Sequence, residues 1–270
     1  MSSRPLVGLI PAAGTASRAG PLPCSKEVLP VGVLGPGADR PRVACEGLLD
    51  AMREGGAARA YVVLRAGKWD IPAYLGTGDR VGLPLAYLVN RGTAGVPYSL
   101  DQAYPFVDRA TVLLGFPDII VRAPEPVFPR LLDRLETTGA AAVLGLFPSS
   151  RPDKGDMVET DAEGRVRRVV VKSPATDLRS AWVVAVWGPA FTSFLHERVG
   201  RPADPAGGPG AELHLGPLFE EAAAAGLDVR GVSVPGGRYI DLGTPEELAA
   251  YVSGAWEKAR GDGGPASGRD

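Results

Sequence analysis

The sequence predicts an α/β protein built on a sheet with crossover helices, and three observations predict it. Short, β-rich apolar runs recur along the chain with amphipathic helical stretches between them. A run of small residues follows directly on the first of these strands. From residue 141 onward the strands crowd together, which predicts a mixed-sheet extension behind a regularly alternating first half.

Taken in order, the apolar runs place strands at 6–11, 59–65, 85–89, 110–114, 141–147, 166–171, 181–187 and 229–234. Between them, segments with an apolar face predict helices at 43–54, 98–103, 127–138, 189–197 and 217–225. Thr244-Pro245-Glu246-Glu247 reads as the start of a further helix, with Thr244 as its cap and Pro245 in its first turn. The Gly- and Pro-rich stretches 32–42 and 200–210 are expected as surface loops, and 261–270, almost free of apolar residues, as a disordered tail. One domain over residues 1–260 is the expected organisation.

Composition narrows the function. Two cysteines, Cys24 and Cys45, exclude a disulfide scaffold and a Cys-rich zinc site, and two histidines far apart, His196 and His214, disfavour a His-based metal cage. Any metal is therefore expected on carboxylates. With 29 basic against 31 acidic residues and no basic block, no nucleic-acid partner is expected. The longest early apolar run, Leu6 to Ala13, is far short of the roughly 20 residues that cross a bilayer, so no membrane partner is expected and a soluble, cytoplasmic protein is.

The chemistry gathers after the first strand, in Ala13-Gly14-Thr15-Ala16-Ser17-Arg18. Small residues at a strand's carboxyl end let backbone N–H groups approach phosphate oxygens, and Arg18 and Lys26 flank this potential anion nest with positive charge. A dinucleotide-binding turn is excluded, because G-x-G-x-x-G is absent and no acidic ribose partner follows about 20 residues on.

The stretch PAAGTASRAGPLPCSKEVLPVG resembles the signature loop of the sugar-1-phosphate nucleotidyltransferases. Further blocks follow in the family's order: RGTAGVPYSL at 91–100, VLLGFPDII at 112–120, VVVKSP at 169–174 and GGRYIDLGTPEEL at 236–248. The resemblance covers roughly residues 5 to 250. It implies a Rossmann-like three-layer sandwich with a mostly parallel mixed sheet, of the nucleotide-diphospho-sugar transferase type. A nucleotide-binding half would span about 1–140 and a sugar-phosphate-binding half about 141–260.

The resemblance also implies roles. Ala13, Gly14, Thr15, Ala16 and Ser17 would bind the triphosphate, with Arg18 and Lys26 as catalytic cations. Gly92, Thr93 and Ala94 would read the base. Gly155, Lys172 and Trp182 would hold the sugar phosphate, with Asp156 an alternative to Gly155. Asp118 and Asp241 would carry Mg2+, which takes few carboxylates plus water and phosphate oxygens. The implied reaction joins a sugar-1-phosphate, glucose-1-phosphate or an analogue, to a nucleoside triphosphate, dTTP or UTP, releasing pyrophosphate. A homo-oligomer is a further implication.

The sequence departs from the family at substrate-facing positions. Ala16 replaces a glycine, Arg18 and Lys26 are only 8 positions apart, two residues are inserted before Asp118, and no Glu precedes Lys172. These departures leave two alternatives open: a cytidylyl- or guanylyltransferase acting on an unusual phosphorylated small molecule, and a non-catalytic nucleotide-binding homologue.

Overall fold

The computed structural model describes residues 4–15, 20–32, 40–90, 95–201 and 212–258. Its strands are β1 (Leu6–Ala12), β2 (Ala60–Arg65), β3 (Leu85–Asn90), β4 (Thr111–Leu114), β5 (Ile119–Arg122), β6 (Ala142–Pro148), β7 (Asp156–Thr160), β8 (Val166–Val171), β9 (Ser180–Trp187), β10 (Val229–Ser233) and β11 (Arg238–Asp241). Its helices are α1 (Glu46–Glu54), α2 (Asp70–Leu75), α3 (Val96–Asp101), α4 (Tyr104–Val107), α5 (Val127–Thr138), α6 (Pro189–Val199), α7 (Leu215–Ala224), α8 (Pro245–Val252) and α9 (Ala255–Lys258).

The main sheet runs β10-β6-β9-β4-β1-β2-β3, and β7 and β8 extend it beside β9. Along that path only β9 runs antiparallel to its neighbours, so the sheet is mostly parallel and mixed, as expected. Strand β9 is buried from Ala181 to Trp187, which explains its unbroken apolar sequence; a strand covered on both faces has no polar face to show.

Two apolar layers sandwich the sheet. Leu9, Val63, Val112 and Trp187 pack toward α3, α4, α6 and α7, whereas Ile10, Val62, Leu113 and Val143 pack toward α1, α2 and α5. The alternation of neighbours such as Leu9 and Ile10 between the two cores follows from the two-residue period of a strand. Helix α5 spans the predicted 127–138 and stops at Gly139, whose φ of +68° is the left-handed conformation that ends helices.

Strand β1 lies between β2 and β4, so the chain leaves it to one side and later returns to the other. That reversal opens a crevice at the carboxyl ends of β1 and β4, the position where ligands bind in open α/β sheets. Strand β5 then leaves the main sheet and pairs antiparallel with β11, Ile119 opposite Asp241. This two-stranded piece has its own small core of Ala44, Ile120, Ile240 and Leu242. Helix α8 follows at once, capped as expected by Thr244, whose Oγ1 accepts the Glu247 N–H at 3.3 Å.

Several expected elements need correction. Strands β5, β7 and β11 were not expected: each is at most 5 residues, half-buried and partly polar, too short for a clear period. The helix expected at 98–103 is α3, shifted to Val96–Asp101 because Pro97 is favoured in its first turn, with the short α4 after it. Helix α2 was also not expected. Most of the two Gly- and Pro-rich stretches, and all of 261–270, lie outside the described residues.

Candidate active site

A cavity of about 550 Å3 opens at the β1–β4 crevice. Ala13, Gly14 and Thr15 enter it from the end of β1, and Asp118 from the turn after β4. Gly155 and Asp156 line it at the start of β7, Lys172 after β8, Trp182 from β9 and Asp241 at the end of β11. A second cavity of about 610 Å3, lined mainly by apolar groups of α1, β5 and α5, shares the wall of Phe116, Ile119 and Val183 but lacks such a convergence of charged groups.

Lys26 belongs to a single 3-10 turn, Lys26–Val28, and its ammonium donates to Asp118 Oδ2 in a mostly buried ion pair. Asp241 reaches the same place because Leu242 N–H donates to the Asp118 carbonyl at 2.9 Å, which ties the end of β11 to the turn after β4. Burial would lower the Lys26 pKa, but the charge and hydrogen bond of Asp118, helped by Asp241 and Glu27, outweigh it and hold the ammonium above its ordinary range. Asp118 and Asp241 thus act on one point from two distant segments. They form a hard, all-oxygen pair, which fits a cation such as Mg2+ that completes its shell with water and phosphate oxygens. Among the described residues no cluster of three or more His, Cys, Asp or Glu could hold a metal.

The opposite wall carries Lys172 and Asp156. Lys172 has φ +40°, and among the described residues it alone, glycines aside, has a positive φ. Such a backbone costs a side-chain-bearing residue about 1–2 kcal/mol, so the surroundings impose it. Lys172 stands on the cavity wall with Asp156. Burial pushes the Asp156 carboxyl up, against the opposing pull of Lys172, the Trp182 indole N–H and His214. Asp156 Oδ1 and Trp182 Nε1 are shut off from solvent, and among the described residues neither closes a hydrogen bond of normal length. A Cβ on Gly216 would stand 2.5 Å from Asp156 Oδ2, so the small residue there leaves room for the carboxylate.

Sequence reading therefore located Ala13, Gly14, Thr15, Lys26, Asp118, Gly155, Lys172, Trp182 and Asp241, and the fold brings all nine to one cavity. Gly155 and its alternative Asp156 both line it. Ala16, Ser17, Arg18, Gly92, Thr93 and Ala94 lie outside the described residues. Gly95, just after the expected base-reading segment, does line the cavity. Its φ of +114° and the 2.3 Å that would separate a Cβ from the Leu213 carbonyl require glycine there.

Sequence reading missed Glu27, Lys154, His214 and Tyr239, which also line the cavity. Glu27 could have been noticed as a charged residue directly before the apolar run Val28-Leu29-Pro30-Val31; it is 1% exposed. Nothing local marks His214, which arrives from a segment more than 100 residues from the first strand's loop. Tyr239 donates its hydroxyl to Ser149 Oγ at 3.1 Å, and burial pushes its pKa up.

No family model matches the chain, and no curated protein matches it by sequence. Solved structures do match by shape. One is a protein assigned as a glucose-1-phosphate thymidylyltransferase from Bacillus anthracis, solved with sucrose: TM-score 0.76, 17% identity, covering 92% of this chain and 94% of that one. Another is a UDP-glucose pyrophosphorylase complexed with UDP-glucose: TM-score 0.74, 15% identity, covering 94% of this chain and 99% of that one. At such low identity the likeness speaks for architecture, over nearly the full length of each partner. The chain has the fold of the sugar-phosphate nucleotidyltransferases.

Proposed function

We propose that this chain is a sugar-1-phosphate nucleotidyltransferase, transferring a nucleotidyl group from dTTP or UTP to a sugar-1-phosphate such as glucose-1-phosphate. One observation carries the reading. Lys26 and Asp118 from the first half of the chain, and Lys172 and Asp241 from the second, line a single cavity at the strand-end crevice. The ordered motif resemblance and the shared fold support it.

The reaction needs little covalent help from the protein. A phosphate oxygen of the sugar phosphate attacks the α-phosphorus, the new O–P bond forms, and the bond to the departing pyrophosphate breaks in line with it. The attacking oxygen is already ionised near neutral pH, because a phosphate monoester loses its second proton near pH 6, so no general base is required. The catalytic load falls on positioning and on charge.

In this reading the Ala13–Thr15 backbone, with Ala16, Ser17 and Arg18, cradles the triphosphate. Lys26 leaves Asp118 to meet the phosphate oxygens on which charge grows. Lys172 holds the acceptor phosphate, and Gly155, Asp156 and Trp182 shape the space for its sugar. Gly92, Thr93 and Ala94 read the base. Asp118 and Asp241 would hold Mg2+, which when bound supplies charge neutralisation at the transferred phosphate. The halves 1–140 and 141–260 would thus serve nucleotide and sugar phosphate respectively.

Pyrophosphate release measured with ATP, GTP, CTP, UTP and dTTP, across a panel of sugar-1-phosphates, tests the reading. Turnover confined to dTTP or UTP with a hexose-1-phosphate is the expected result. Turnover with CTP or GTP alone would move the base assignment, and no turnover with any pair would overturn the enzymatic reading.

Lys172 offers a sharper check. Lys172→Gly is expected to raise thermal stability modestly, since glycine removes a strain of about 1 kcal/mol. The same change is expected to lower kcat/KM for the sugar phosphate at least about tenfold, through loss of a charge-assisted phosphate contact. Opposite signs in melting temperature and activity distinguish a ligand-facing lysine from a structural one.

A further inference from the structure

Lys26 does not hold its place alone. The residues on both sides of it are gripped by one short segment after β2, at the same edge of the sheet. Ser25 donates its N–H to Asp70 Oδ2 at 2.6 Å and its hydroxyl to Asp70 Oδ1 at 2.8 Å. On the other side, Lys68 donates to Glu27 Oε1 at 2.6 Å, with Glu27 and Lys68 only 1% and 4% exposed. The Glu27 carbonyl meanwhile accepts the Cys45 N–H at 3.0 Å. Neither Lys68 nor Asp70 lines the cavity.

A buried ion pair is a poor choice if stability were its only purpose. Desolvation consumes most of the attraction, and an apolar pair of the same size serves as well or better. Here the pair is also incomplete, since Glu27 Oε2 is buried and, among the described residues, has no hydrogen-bond partner. What charge adds over apolar packing is direction: a carboxylate held by an ammonium at 2.6 Å sets the orientation of a turn only 3 residues long. With Ser25 fixed from one side and Glu27 from the other, the backbone of Lys26 has little freedom. Only its side chain is left to move between Asp118 and a ligand.

We infer that Lys68 and Asp70 are positioning residues, a two-point clamp that acts through Glu27 and Ser25 to aim Lys26 into the cavity. The inference rests on the reading of Lys26 as a phosphate-facing cation. Lys68 and Asp70 touch neither substrate nor reacting atoms; they set where Lys26 stands.

The test uses the full-length chain and the variants Lys68→Met, Asp70→Ala and Asp70→Asn, each checked for folding by circular dichroism. Two quantities are read: the rate at which acetic anhydride acylates Lys26, by peptide mass spectrometry against Lys154 as internal reference, and steady-state pyrophosphate release. Lys68→Met and Asp70→Ala are expected to speed Lys26 acylation about tenfold relative to Lys154, the factor given by about 1.4 kcal/mol of lost interaction. They are expected to lower kcat about 10- to 100-fold with KM for the sugar phosphate little changed, because a small misplacement of a charge-bearing group is costly. Asp70→Asn, which can still accept the Ser25 N–H and pair with its hydroxyl, is expected to restore both readouts.

Unchanged Lys26 acylation and unchanged kcat in folded Lys68→Met and Asp70→Ala would overturn the clamp. If the unaltered chain releases no pyrophosphate, the proposed activity fails, and the acylation rates still decide the clamp. Should either variant not fold, Ser25→Ala removes one link alone; a smaller shift in the same direction supports the clamp, and none refutes it.

Discussion

Asp118→Asn is expected to lower kcat/KM for pyrophosphate release about 1,000-fold, the scale on which removing one preorganised charge at a reacting centre acts. The substitution keeps the shape of the side chain and an oxygen that can accept from Lys26, so the fold is expected to survive. What disappears is the negative charge that, with Asp241, makes the all-oxygen site suited to Mg2+. Asp241→Asn is expected to act in the same direction, because the pairing of β11 with β5 brings it to the same point. Calorimetric titration with Mg2+ and nucleoside triphosphate gives a readout apart from turnover: each variant is expected to lose the metal dependence of nucleotide binding. Full turnover in both variants would remove these aspartates from the metal site.

Lys26→Met is expected to have an effect of similar size, about 1,000-fold on kcat, through loss of a cation at the phosphates. Lys26→Arg is expected to recover only part of it, since a planar guanidinium spreads its charge and directs its donors differently from an ammonium. The pH dependence follows from the ion pair. Its folded-state pKa is raised above the ordinary 10.5, mainly because Asp118 outweighs burial. The ionised pair therefore stabilises the fold fully below the unfolded value near 10.5, and this contribution is lost as pH rises through the higher folded value. Melting temperatures of the unaltered chain and Lys26→Met, compared from pH 8 to pH 11.5 in the same buffers, are expected to differ most at the lower end, and the gap is expected to begin narrowing once pH passes the ordinary value of 10.5. A gap that stays constant across this range would mean that Lys26 is not held by charge.

How far the site could be read beforehand depended on what each residue says locally. Asp118 was legible because it follows an apolar strand and a tight turn, and Asp241 because GGRYIDLGTPEEL resembles a family block and opens a capped helix at Thr244, although the strand that carries Asp241 was not expected. Lys26 was legible because it shares a loop with the small-residue turn. Lys68 and Asp70 were not, as nothing around residues 65–75 points to a loop 40 positions earlier. Their role depends on β1 and β2 being parallel neighbours, which brings the segments after both strands to one edge. His214 and Tyr239 were hidden for the same reason. Lys172, singled out from its motif, lines the cavity, but its positive φ is a property of the backbone path around it and has no sequence signal, since lysine seldom adopts it.

The sequence by itself determined the α/β class, a sheet with crossover helices, because the alternation of short β-rich apolar runs with helical stretches dictates which elements form. It singled out as well Lys26 beside the small residues at the first strand's end, since charge next to small residues is a local pattern. Only the tertiary structure decided that Asp118 and Asp241 meet, through the short β5–β11 pairing. It alone also decided that Lys26 is held from a third segment and that the second half closes the cavity with Lys172 and Asp156. Strands of 4 or 5 residues and single buried ion pairs gain most of their stability from partners distant in the chain, so no local window contains the information that forms them.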